Sequence, residues 1–428
     1  PMEGLTSTHG QPISKAGADV ELTIRSLGGN PREPFRIFDE VKEFYQQVIS
    51  RKTREAEEIM AIEKEWEEAR PVQARHLRET LMGKIPSLPW EEIGLKPDAA
   101  TRATSAEILS FLGKHLDNML VMSADLANSD RTDGFLKHQQ PIRKGHFEGG
   151  FLHAGVSELT MAALANGMAL HGGIIPVCGT FFVFSDYMKP AIRLSALMEL
   201  PVIYIWSHDA FRVGEDGPTH QPVEQETQIR LMEQVKNHSG NRSFLALRPA
   251  DAAETLAAWR LALETPNRPT GMILSRQNVP SLKAPSGTER LSQAFDIRKG
   301  AYILSDPGPD FQLILLANGS EVSLLVEVAQ QLTLRRGITA RVVSIPSPGL
   351  FLDQDTTCRN TVLPKNKPIF GLTAGLPQVF AGLAHRTYGL EHFGYSAPAN
   401  VLDEKFGFTV ENIIFEVQKF LNEYQVTQ

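Results

Sequence analysis

The run Gly214-Glu215-Asp216-Gly217-Pro218-Thr219-His220-Gln221-Pro222 follows the pair His208-Asp209 and an apolar stretch over 202–206. Carboxylate, imidazole and hydroxyl groups therefore fall in one short segment after an expected strand, which is where α/β sheets bind ligands. Gly and Pro fix the local backbone, so Asp216 and His220 can be aimed at something small and polar. The competing reading is a surface turn that happens to carry charge. A second group lies upstream. Glu158, in Gly155-Val156-Ser157-Glu158-Leu159, opens an apolar helix, where the helix dipole favours a carboxylate. Phe181, Phe184 and Tyr187 recur every three residues, a spacing that serves core packing or the flat wall of a pocket for a heteroaromatic ring.

A glutamate beside stacked aromatics suits thiamine diphosphate. That cofactor must lose a proton from its thiazolium carbon to its own aminopyrimidine amine. A carboxyl group bonded to the far ring nitrogen favours the tautomer that takes the proton. The diphosphate and Mg²⁺ need a separate set of oxygen ligands. Two arginines stand at element edges: Arg102 before a helix, and Arg276 in Ser275-Arg276-Gln277-Asn278 after a strand. Either alone reads as a surface salt bridge. Together with His208 and Ser129 they form a candidate phosphate clamp, because arginine offers paired donors.

These residues need a scaffold, and the chain is long enough to build two or three domains at 428 residues. Its net charge of −7 offers no basic surface for nucleic acid and no polybasic membrane patch. No apolar run approaches membrane-spanning length. Two distant cysteines, Cys178 and Cys358, argue against a disulfide framework or a Cys-based zinc site and fit a reducing, cytoplasmic compartment. Residues 36–83 read as charged helices punctuated by Pro71 and Pro86, a connector that cannot bury a core of its own.

From about residue 100, short apolar runs alternate with amphipathic helices. Strands are expected at 119–122, 174–178, 202–206, 244–247 and 271–274, with helices at 105–113, 157–170, 185–198 and 252–263. The pattern predicts a parallel sheet covered on both faces. Pro280, Pro285 and Gly287 mark a boundary, after which a smaller α/β unit follows. Its strands are expected at 313–317, 340–345 and 368–372, with a helix from Ser320, a candidate N-cap, to about Arg335 and a last helix at 410–421. The expected division is 1–98, 99–290 and 291–428.

The stretches Thr8-His9-Gly10-Gln11-Pro12, Thr101-Arg102-Ala103-Thr104-Ser105, Ser123-Ala124-Asp125-Leu126, Gly155-Val156-Ser157-Glu158, Leu170-His171-Gly172-Gly173, Thr180-Phe181, His208-Asp209, 214–222, Ser275-Arg276-Gln277-Asn278 and Phe406-Gly407-Phe408-Thr409 together resemble transketolase, in order and along essentially the whole chain. The resemblance implies two parallel-sheet α/β domains, one binding the thiamine pyrimidine and one C-terminal, preceded by a helical linker. It implies that Glu158 activates the pyrimidine and that Phe181 stacks on it, with Phe184 and Tyr187 completing the pocket. Arg102, Ser129, His208 and Arg276 would hold a sugar phosphate. Asp216 would read a substrate hydroxyl, and His220 would bond substrate oxygens and assist proton transfer. His9 matches a histidine near diphosphate and substrate, and Asp125 falls in a family motif on the cofactor side.

The implied reaction moves a two-carbon ketol unit from a ketose phosphate to an aldose phosphate, in a homodimer. The family's diphosphate-binding domain carries Gly-Asp-Gly and a downstream Asn for Mg²⁺. No Gly-Asp-Gly occurs in this chain. Half of each site, metal ligands included, is therefore expected to come from that other domain, and the isolated chain is expected to be inactive. The alternatives are a deoxyxylulose phosphate synthase, a keto acid dehydrogenase β subunit, or a non-catalytic dimerising scaffold.

Overall fold

The protein is described by a computed structural model covering residues 4–6 and 9–427, so Thr8 of the first motif lies outside the described residues. Contacts divide the chain into two units, Pro1–Leu77 and Arg78–Gln428. In the first unit, helix Val20–Ser26 is capped by Asp19, whose Oδ1 accepts from the Leu22 N–H at 2.9 Å. The long helix Asp39–Ala69 has no buried residue, and Phe44, Ile49 and Ile59 are each at least 60% exposed. This segment holds no core of its own, as its charged texture predicts. Helix Pro71–Leu81 places Pro71 in its first turn, where a missing N–H costs nothing.

The second unit is built on two sheets. The strands of the first are β1 (Met119–Ser123), β2 (Phe151–His153), β3 (Ile175–Phe181), β4 (Ile203–Ser207), β5 (Leu245–Leu247) and β6 (Thr270–Leu274), in the order β2-β1-β3-β4-β6-β5 and all parallel. Successive residues alternate between two covered faces. Val121, Val177 and Ile205 pack with Ile108, Leu112 and Trp259 on one side. Met122, Cys178, Tyr204 and Trp206 pack with Met161 and Phe244 on the other. Both faces are apolar, which is why these strands read as unbroken apolar runs.

The second sheet contains β7 (Tyr302–Ser305), β8 (Leu313–Ala317), β9 (Ala340–Ser344), β10 (Ile369–Leu372) and β11 (Arg386–Tyr388), in the order β11-β10-β8-β9-β7. It is parallel except for β7, which runs antiparallel to β9 at the edge. Helix Glu321–Arg336 covers one face through Val322, Leu325, Val328 and Leu332.

Most expected elements occur within one to three residues of their predicted ends. Strands β2, β7 and β11 and helix Gln225–Gln234 were not anticipated. The first three are three or four residues long, too short for a periodic signal. Strand β3 continues three residues past its expected end, through Thr180 to Phe181. Ser320 does not cap its helix. Its backbone is already helical, and its hydroxyl donates instead to Asp209 Oδ2 (3.1 Å) or Glu321 Oε1 (2.8 Å).

Candidate active site

In the first sheet, β1 lies between β2 and β3, and the chain leaves it toward β2 before crossing back to β3. The crevice at such a reversal, beyond the carboxyl ends of the strands, is the ligand position of open α/β sheets. Residues following β1, β3, β4 and β6 all emerge at that edge: Asp125 and Ser129 after β1, Phe181 and Phe184 at the end of β3, His208 after β4, Arg276 after β6. Five non-glycine residues have positive φ among those described, and three of them, Asp125 (65°), Arg131 (69°) and His208 (64°), stand here. Backbone strain of this kind collects at functional sites.

Arg102, in the first turn of helix Thr101–His115, reaches across to this edge. Its Nη1 donates to the Ser129 carbonyl and lies 3.4 Å from His208 Nε2. The helix start is itself tied to β6, since Thr101 Oγ1 accepts from the Ser275 N–H (2.7 Å) and the Ser275 hydroxyl accepts from the Thr101 N–H (3.0 Å). Ser129 thus meets Arg102 through its carbonyl, while its hydroxyl turns to Asn128.

His208 Nδ1 is 2.8 Å from Ser207 Oγ, and with Arg102 donating to Nε2 the proton sits on Nδ1. Burial, then the charges of Arg102 and Arg276, hold its pKa down at about 2, so the ring is neutral. Burial and the Arg276 and Arg131 charges also lower Arg102, to about 10. Crowded guanidinium groups with too few carboxylates make a site that favours an incoming anion. Sequence reasoning missed Arg131, because nothing in its neighbours sets it apart from a surface arginine.

Asp130, fully buried, anchors the loop that carries Ser129. It accepts from Ser123 Oγ (2.7 Å), the Thr132 N–H (2.9 Å) and Thr132 Oγ1 (2.7 Å). Burial raises its pKa to about 6 despite these bonds. The native state therefore holds a proton that the unfolded chain releases near its ordinary value, about 3.9. Stability attributable to Asp130 falls as pH rises from about 4 to about 6 and is flat beyond, a change on the order of 2–3 kcal/mol. Urea unfolding at several pH values should show this slope in the native chain and lose it in Asp130→Asn. An unchanged slope would show that Asp130 does not titrate in that window.

The aromatic residues form one stack. Phe181 and Phe184 lie 5.9 Å apart at 8°, and Phe184 and Tyr187 6.1 Å apart at 28°. Phe181 is only 6% exposed, and one side of its ring is taken by His208 at 3.6 Å. Phe184 is half-buried and Tyr187 exposed. His220 meets Phe184 edge-on at 5.4 Å, so the 214–222 loop closes onto the aromatic wall. Gln221 holds that loop down, its Nε2 donating to the Gly214 and Tyr395 carbonyls (both 3.0 Å). A Cβ at Gly394 would come within 1.6 Å of Gln221 Oε1, so a larger residue there would push that amide aside. Asp216 stands exposed at the loop tip, and Asp125 is exposed after β1.

Glu158 begins helix Glu158–His171, just after β2 and so at the same carboxyl edge. Its side chain is buried, with 7% of the residue exposed, yet among the described residues it makes no ion pair and no side-chain hydrogen bond. A carboxylate of a largely buried residue, with no protein partner and its oxygens still reachable, is open to a ligand donor. That fits the ring nitrogen of an aminopyrimidine. His9 belongs to the first unit and is exposed, its N–H donating to the Thr6 carbonyl at 3.4 Å. Among the described residues no group of three or more His, Cys, Asp or Glu side chains comes together as metal ligands. No described helix is long and apolar enough to cross a membrane.

Residues 98–281 match the family described as transketolase, pyrimidine binding domain, and residues 300–409 match the transketolase-like C-terminal domain. A transketolase of Halalkalibacterium halodurans is 37% identical over 430 residues, covering 98% of this chain and 61% of that protein. One from Staphylococcus epidermidis is 36% identical, with 97% and 61% covered. The chain thus spans about three-fifths of the length of these curated relatives. The solved transketolase of Leishmania mexicana superposes with a TM-score of 0.83 at 34% identity, covering 94% of this chain and 57% of that one. A Pichia stipitis transketolase in complex with sedoheptulose 7-phosphate gives 0.83 at 30% identity, with 95% and 59% covered.

Proposed function

The chain belongs to the transketolase family and carries its pyrimidine-binding and C-terminal domains, and from that premise we propose that it takes part in moving a two-carbon ketol unit from a ketose phosphate to an aldose phosphate. The observation that carries this reading is the unpartnered carboxylate of Glu158, a largely buried residue at the sheet edge that also presents Arg102, His208 and Arg276. Thiamine diphosphate, when bound, supplies a nucleophilic carbon and an electron sink for the carbon–carbon bond broken. Glu158 holds the proton shared with the pyrimidine ring nitrogen. Phe184, whose ring is more open than that of Phe181, takes the stacking role. Phe181 backs it and pins His208, and Tyr187 extends the wall.

Arg102 and Arg276 grip the sugar phosphate by charge and paired donors. His208, neutral and accepting from Arg102, orients that guanidinium, and the Ser129 carbonyl fixes its other side. Asp216 at the loop tip reads a substrate hydroxyl. His220, edge-on to Phe184, bonds substrate oxygens and moves a proton near the reacting carbons, with Asp125 serving the diphosphate side. Mg²⁺ and its ligands belong to the diphosphate-binding domain, which a homodimer would place across from this one. The proposed setting is cytoplasmic, in keeping with two free thiols among the described residues.

The test is a two-substrate assay with xylulose 5-phosphate and ribose 5-phosphate, products resolved by mass, on the chain assembled with the diphosphate-binding domain. A seven-carbon and a three-carbon sugar phosphate are expected. Carbon dioxide release from pyruvate in their place would overturn the assignment. In the same assay Arg102→Ala should raise KM for the phosphorylated substrates about 10–100-fold, the cost of one or two charge-assisted bonds, with kcat less affected. An unaltered KM would remove Arg102 from the phosphate site.

A further inference from the structure

The second sheet carries a cavity of about 510 Å³ at the amino end of β10, between helix Thr356–Val362 and the segment over 381–385. That volume is in the range that holds small organic ligands. Its rim is formed by Arg359, Asn360, Lys365 and His385, and its floor includes Leu363 and Leu383. No Asp or Glu lines it, in a chain whose net charge is −7. Arg359, Lys365 and His385 make no ion pair among the described residues. Arg359 Nε is shut off from solvent and has no hydrogen-bond partner. Arg359 also carries its charge without a carboxylate partner, and an anionic group at the rim would supply one.

His385 is held in one orientation. Its Nδ1 accepts from the Ile369 N–H at 3.1 Å, while its backbone N–H donates to the Ile369 carbonyl at 2.9 Å. The ring proton is therefore on Nε2, which remains a donor. An edge-on contact with Tyr424, centroids 5.1 Å apart, fixes the ring plane. Donors from three separate segments thus surround a partly apolar floor. We infer that this cavity is a binding site for a small organic phosphate, its anionic head held by Arg359, Lys365 and His385 and its apolar body resting on Leu363 and Leu383. The site is separate from the sheet edge that carries Arg102, and it stands whether or not the catalytic reading holds.

Calorimetric titration of the full chain with inorganic phosphate and with phenyl phosphate tests it. Phenyl phosphate should bind at least about tenfold more tightly than inorganic phosphate, because the floor adds apolar burial. Its affinity should fall about tenfold or more in Arg359→Ala and stay unchanged in Arg102→Ala. Lys365→Glu, at an exposed position, should weaken it likewise, and a melting temperature equal to that of the native chain confirms the fold. Loss of binding in Arg102→Ala alone would place the probe at the sheet edge and overturn the inference. So would equal affinity for the two probes, or binding unaffected by both cavity variants.

Discussion

Glu158→Gln in the assembled enzyme is expected to lower kcat by about 10²–10⁴-fold, the range for losing a positioned proton-transfer group, with the melting temperature little changed. The side chain makes no ion pair or hydrogen bond among the described residues, so the fold does not depend on its charge. Glutamine keeps the shape and the burial but cannot hold the proton that the proposed role requires. Steady-state turnover, with near-ultraviolet circular dichroism and thermal melting as controls, checks it. A variant with near-native turnover would remove Glu158 from the chemistry. One that melts far below the native protein would instead make it a structural residue.

Arg248→Met should cost about 3–5 kcal/mol of stability, the penalty for leaving buried carboxylates without their cation. Arg248 is 1% exposed. Its Nη2 donates to Asp209 Oδ2 at 2.7 Å, and its Nη1 lies 2.7 Å from Glu321 Oε2 and 3.3 Å from Glu226 Oε2. Glu321 also pairs with Arg212 at 2.7 Å, and Arg212 Nε with Asp403 Oδ1 at 2.8 Å. These charges join residues following β4 and β5 of the first sheet to residues following β8 of the second. Gly319, at the turn after β8, lies so close that a Cβ would come within 2.6 Å of Arg248 Nε. Urea unfolding of Arg248→Met should show the loss as a shifted midpoint, and a change below about 1 kcal/mol would show that solvent or rearrangement replaces the lost cation. Because Asp209 directly follows His208, the substitution should also loosen the Arg102–His208 pair.

Much of the candidate site was legible in the chain. Glu158 at a helix start, the three-residue aromatic period, and arginines flanking a helix and a strand are local patterns, read within a few residues of one another. The structure turned three other residues in ways a local reading does not reach. The sequence suggests His208 as a phosphate donor, but burial and two guanidinium charges leave it a neutral acceptor toward Arg102. Asp209, its neighbour, points into the interior toward Arg248. Ser320 looks like a helix cap and instead bonds across to Asp209.

From the sequence alone come the alternation of strands and helices, the apolar texture of strands covered on both faces, and the identity of the groups able to do chemistry. These depend on periodicity and residue type, properties of a single segment. Which charges are buried and whom they meet was decided only by the tertiary structure. Arg248, Glu226 and Asp130 read in sequence like any surface ion. It is the strand order β2-β1-β3-β4-β6-β5, and the second sheet beside it, that takes them out of water and supplies their partners.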